Sequence, residues 1–130
     1  MTITEGNVYS IARTIYVQAP RDSDLVSFLA EIAEENNITS GTFNAIGALK
    51  NARLAFYDQE KRTYIEIGDL KEPQELISCM GVLTIREGKH YAHAHVVLVD
   101  ARGVTRAGHL LEAKVFFSQV CVHKLEKVAS

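Results

Sequence analysis

Between Val8 and Val17 the chain alternates, with Tyr9, Ile11, Ile15 and Val17 apolar at odd positions. That two-residue period predicts a half-buried strand. Arg13 interrupts the apolar face, as an edge or rim residue does, or as an anion contact near a pocket would. The period then changes. Arg21-Asp22-Ser23-Asp24 supplies N-cap side chains and negative charge for a helix N-terminus. Leu25, Phe28, Leu29, Ile32 and Ala33 follow on one helical face, with Glu31, Glu34 and Glu35 on the other. Asn36-Asn37 predicts the stop, because asparagine tolerates the left-handed conformation that ends helices.

After Ile38 the helical period does not return. Strands are predicted over Thr42–Leu49, Ala52–Tyr57, Thr63–Ile67, Leu76–Ile85, His90–Val99 and Ala113–Leu125. Gly41 and Gly47 suggest bends or a close backbone approach. Asp58 to Arg62 reads as a solvated turn, Glu87-Gly88 as a hairpin turn, and Asp100 to Gly103 as a further reversal. One helix followed by hairpin-linked strands predicts an α+β fold with a mainly antiparallel sheet and its helix near the N-terminus. At 130 residues, with two prolines, no repeat and no linker, a single domain spanning residues 1–130 is expected.

The histidines add chemistry to this outline. His93 and His95 are two apart on a strand, so both leave the same face, which Val97 and Val99 continue. Ala92 and Ala94 leave the opposite face nearly bare, which suits a close-packed helix or sheet. The place of His109 depends on the loop after the strand. A four-residue loop from Asp100 to Gly103 would set His109 opposite Ala94, on the wrong face. A three-residue loop, Ala101-Arg102-Gly103, puts glycine at its left-handed third position and sets His109 opposite His95.

On that register three imidazoles converge. Three neutral imidazoles on a rigid sheet form a partial shell for zinc or a similar divalent ion, with one position left for water or a ligand. The same residues also fit a polar cross-strand cluster bonded to carboxylates or to neighbouring subunits. Glu75 and Glu112 are candidate partners for the free imidazole N–H groups or candidate acid/base groups. His90 is expected at a hairpin mouth facing solvent, and His123 shares a face with Cys121 and Gln119.

Composition narrows the picture further. The charge of −2, with 47% hydrophobic and 23% charged residues, is ordinary for a globular protein and argues against phosphate-driven DNA binding. Residues 1–10 lack a basic start followed by an apolar block, so no signal peptide is expected. No apolar run reaches membrane-spanning length. Cys79 and Cys121 lack paired metal or redox spacing and are expected as reduced core thiols in a cytoplasmic protein.

Several segments, in order, carry a family resemblance. Gly41-Thr42-Phe43-Asn44-Ala45-Ile46-Gly47-Ala48 resembles the Gly-x-Phe-x-Ala-Ile-Gly-Ala segment of the PPC (plants and prokaryotes conserved) domain. Ala55-Phe56-Tyr57-Asp58 is similar to its next strand, and Glu75-Leu76-Ile77-Ser78 with Gly81 to its Glu-Ile-Leu-Ser-x-x-Gly strand. His93-Ala94-His95-Val96-Val97-Leu98 resembles its His-x-His strand, and Ala107-Gly108-His109-Leu110 its Gly-Gly-His-Leu segment, with Ala107 replacing the first glycine.

The resemblance implies a trimer-forming α+β domain and strengthens His93, His95 and His109 as a zinc site. In plants the domain accompanies AT-hook motifs in nuclear DNA-binding proteins, and prokaryotic single-domain members carry a DNA-binding label by that association. This chain has no Arg-Gly-Arg-Pro hook, and it reads Glu72-Pro73-Gln74-Glu75-Leu76-Ile77 where the plant partner motif has Gly-Arg-Phe-Glu-Ile-Leu. Three functions are therefore weighed. The first is a homotrimeric binding module with a zinc site and a small ligand in an intersubunit cleft, with Val115, Phe116 and Phe117 feeding the interface. The others are a DNA-binding protein and a metal-dependent enzyme.

Overall fold

The computed structural model describes residues 6–129. The elements are β1 (Val8–Ala19), α1 (Leu25–Glu35), β2 (Gly41–Leu49), β3 (Ala52–Asp58), β4 (Thr63–Leu70), β5 (Gln74–Arg86), β6 (Lys89–Val99), β7 (Thr105–Glu112) and β8 (Val115–Ala129). All eight strands join one sheet in the order β1-β8-β2-β5-β6-β7-β3-β4. Every neighbouring pair is antiparallel. This is the expected α+β architecture. No helix of the described residues is long and apolar enough to cross a membrane.

The helix begins where its caps are. The Asp24 carboxylate accepts from the Ser27 N–H at 2.9 Å and from the Ala113 N–H at 2.8 Å, so it also ties the helix start to the β7–β8 connection. At the other end the Asn36 side chain donates to the Ile32 carbonyl at 2.8 Å, and Asn37 takes the left-handed conformation at φ 53°. Leu25, Leu29, Ile32 and Ala33 are buried, and α1 packs over β6 and β7. Ala92 and Ala94 present only methyl groups on the core face of β6, beside Val96 and Leu98, so the helix can approach closely. Each fully buried leucine in this layer contributes about 2 kcal/mol.

The alternation in β1 misleads over its first half. Tyr9 and Ile11 are 40% and 58% exposed, whereas Ile15 and Val17 pack against the core. A bulge between Ile11 and Arg13 exchanges the faces, so that Ile11 pairs with Leu125 on the side away from the core, whereas Ile15 pairs with buried Val122. Val115 is wholly buried in the core and so is not free for an interface, whereas Phe116 and Phe117 are exposed. Both cysteines are free. Cys79 is a core thiol that burial pushes up to about 12, but Cys121 is only half-buried, across from Asn44 and Tyr16 on the face away from the helix.

Gly81 couples the sheet to the histidine strand. It pairs with Ala94 and with Phe43, and a Cβ there would overlap the His93 carbonyl oxygen and stand 2.8 Å from the Phe43 ring. A Gly81→Ala substitution is therefore expected to lower stability by about 2 kcal/mol or more. Urea unfolding checks this; an unchanged midpoint would show that β5 and β6 have slack at this crossing.

Candidate metal centre

The β6–β7 turn sets the site. Asp100 and Val104 close a three-residue loop, with the Asp100 N–H donating to the Val104 carbonyl at 3.1 Å and Gly103 at φ +80°. The buried Asp100 carboxylate accepts from the Val104 N–H at 3.0 Å and the Arg102 N–H at 2.9 Å, and it meets the Arg106 guanidinium at 3.2 Å. The Val104 bond leads in holding its carboxyl down at about 2; burial opposes, and Arg102 and Arg106 assist. The resulting register runs Val99↔Thr105 through His95↔His109.

His93, His95 and His109 therefore share one face, with ring centroids 4.9, 5.2 and 6.0 Å apart. One ligand nitrogen from each lies within 4.8 Å of the others. His93 Nε2 and His95 Nε2 are 3.2 Å apart, close to the ~3.3 Å between two nitrogens on one tetrahedral zinc. His109 is buried, and its Nδ1 has no hydrogen-bond partner. Such unmet capacity costs about 1–3 kcal/mol, and a bound ion or its ligand shell would fill it.

The surroundings of His93 and His109 favour their neutral forms. Burial, then the neighbouring His93 and His95, then Arg86 bring His109 down to about 4. Burial followed by His95 and Arg86 lowers His93 as well. Neutral imidazole is the form that ligates a metal.

A cavity of about 710 Å³ opens beside the trio, walled by Phe56, Tyr57, Tyr64, Met80 and Val97. Beside Leu54 the two strands flanking β3 each carry a bulge, at Ile67 in β4 and at Leu111 in β7, which bends the sheet there. The Tyr64 ring thereby stacks on His109, with centroids 4.1 Å apart and planes at 24°, and Tyr57 meets Tyr64 edge-on. Tyr64 escaped the sequence reading. The expected turn from Asp58 to Arg62 would set Tyr57 opposite Thr63, whereas Asp58 pairs with Thr63 and Tyr57 with Tyr64; the reach of Tyr64 to His109 needs the β3–β7 pairing, which no local pattern announces.

Other candidates fall away from the centre. Glu112 is bound to Arg53 at 2.9 Å, and Glu75 pairs with Val99 at the far end of β6; neither lines the cavity. His90 is half-buried rather than solvent-facing, with Nδ1 3.0 Å from the Ile38 carbonyl oxygen, and so it fastens β6 to the segment after the helix. His123 Nδ1 lies 3.0 Å from the Thr14 hydroxyl, in the β1–β8 ladder. Arg13 is a rim residue, 3.3 Å from the Asn36 side-chain oxygen.

Comparison with known proteins shows the family and the fold. The model of the Plants and Prokaryotes Conserved (PCC) domain matches residues 6–126. A metal-containing protein from Archaeoglobus fulgidus is 32% identical with a TM-score of 0.89, over 97% of this chain and 89% of that one. A plant- and prokaryote-conserved (PPC) protein from Pyrococcus horikoshii is 29% identical with a TM-score of 0.89, over 99% and 87%. A protein from Bacteroides thetaiotaomicron, provisionally described as DNA-binding, shares the fold at 24% identity and a TM-score of 0.78, over 91% and 82%. No curated protein matches the chain.

The depressed His109 has a consequence for metal-free protein. Unfolded, this histidine titrates near 6.5; folded, near 4. Between those values the unfolded chain binds the additional proton, so the stability is complete above about 6.5 and is lost as pH falls toward 4. Chelator-treated protein is expected to be about 1–2 kcal/mol less stable in urea at pH 5 than at pH 7 through this group. His109→Gln should flatten that slope; an equally steep slope in the variant would assign the effect elsewhere.

Proposed function

We propose that this chain, which belongs to the Plants and Prokaryotes Conserved (PCC) domain family, is a homotrimeric binding module whose His93, His95 and His109 hold a divalent metal, zinc by preference, beside a small-ligand cavity. The observation that carries this reading is the convergence of three imidazoles, one of them buried with an unpaired nitrogen, on an antiparallel sheet. The metal-containing Archaeoglobus relative supports it at 32% identity. Three nitrogen donors suit zinc, and a fourth position stays open to ligand. The ion would supply Lewis acidity there. The chain's own part is to hold the rings: the three-residue loop sets the register, and Tyr64 stacks against His109.

Self-association has support from the open side of the sheet, where the apolar side chains Ile46, Met80 and Phe117 are 55%, 61% and 41% exposed. Direct DNA contact has none from the net charge of −2 or from an AT-hook sequence. Among the described cavity-lining residues no carboxylate stands beside the three histidines as a general base.

Elemental analysis of protein purified without chelator is expected to find close to one zinc per chain, lost in His95→Ala and in His109→Ala. Native mass measurement is expected to give three chains of 14.4 kDa. Metal-free wild type after supplementation with zinc would overturn the metal assignment, and a monomeric mass would overturn the assembly.

A further inference from the structure

We infer that the cavity beside the three histidines takes an organic carboxylate with an aromatic or branched apolar body, its oxygen on the open metal position and its body against Phe56, Tyr57 and Met80. The inference rests on the metal reading above and follows from charge, lining and size.

Charge comes first. Neutral imidazoles leave a divalent ion with its full two positive charges. Among the described residues lining the cavity there is no aspartate or glutamate to offset them. Arg86, a cation, lies over the Tyr91 ring at 4.9 Å, and that ring is 6.3 Å from the His93 ring. A site this positive, on an apolar wall of low polarisability, favours an anion at the open position and excludes a cation.

The lining then selects among anions. A phosphate would want guanidinium or lysine partners or a cradle of backbone N–H groups, and no arginine or lysine is among the described lining residues. A single-charged carboxylate needs less. One oxygen goes to the metal, and the other can accept from a hydroxyl such as those of Ser78 or Tyr57, both on the wall. The rest of the wall is aromatic or aliphatic, so a ligand gains affinity in proportion to the apolar area it buries there. A volume of about 710 Å³ is far more than acetate fills and lies in the range that holds organic ligands.

Cobalt(II)-loaded protein gives a readout that does not depend on any activity, because ligand exchange at the metal changes its visible bands. Phenylacetate is expected to shift those bands with an affinity at least tenfold tighter than acetate, while inorganic phosphate and phenethylamine leave them unchanged. Phe56→Ala and Met80→Ser, both at exposed positions, are expected to narrow the gap between the two acids. Normal cobalt uptake with bands that ignore phenylacetate, or equal affinity for acetate and phenylacetate, would overturn this inference alone. Failure to take up cobalt or zinc would overturn the metal reading and the inference together.

Discussion

The loop after Asp100 holds three residues, and the parity of that number governs every pairing along β6 and β7. Side chains on a strand alternate faces, so a slip of one residue would send His109 to the helix side, opposite Ala94, and scatter the trio. The register is held from both ends of the loop: Gly103 accepts a backbone conformation that other residues resist, and the Asp100 carboxylate gathers two loop N–H groups and Arg106. These bonds lie a full strand length from the histidines, yet the site depends on them.

The sheet uses its two faces differently, and β6 shows why. Its core-side residues are Ala92, Ala94, Val96 and Leu98, small where the helix crosses and larger beyond it. Its other side carries His93 and His95 beneath no covering element, so polar rings remain reachable. Bulges in β4 and β7, on either side of Leu54 in β3, accompany the placement of the β4 residue Tyr64 over His109, where it forms one wall of the pocket. Burial of His109 and exposure of His95 follow from the same bend. A ligand could enter from the His95 side while His109 stays fixed.

The electrostatic character of the pocket is set as much by what does not line it as by what does. Many metal-bound imidazoles pass their second N–H to a carboxylate. Here the two plausible glutamates are engaged or distant, Glu112 with Arg53 and Glu75 at the far end of β5. Aromatic stacking and burial hold His109 instead, and the burial favours the neutral ring. Such a centre would retain the full charge of whatever cation it held.

Much of this was legible in the amino-acid order, because it is local. The Asp24 cap, the apolar face of α1, the Asn37 stop, the strand periods from β2 to β8 and the parity of the Asp100 loop all rest on residues a few positions apart, where spacing and backbone preference suffice. The α+β class followed from them. Tertiary structure decided the remainder. That β8 runs between β1 and β2, and that β3 pairs with β7, are contacts between distant segments, and they bury Val115, expose Tyr9, fasten His90 to Ile38 and bring Tyr64 onto His109. A two-residue period says that a strand has two faces; only the neighbours that long-range pairing brings decide which face is covered, and by what.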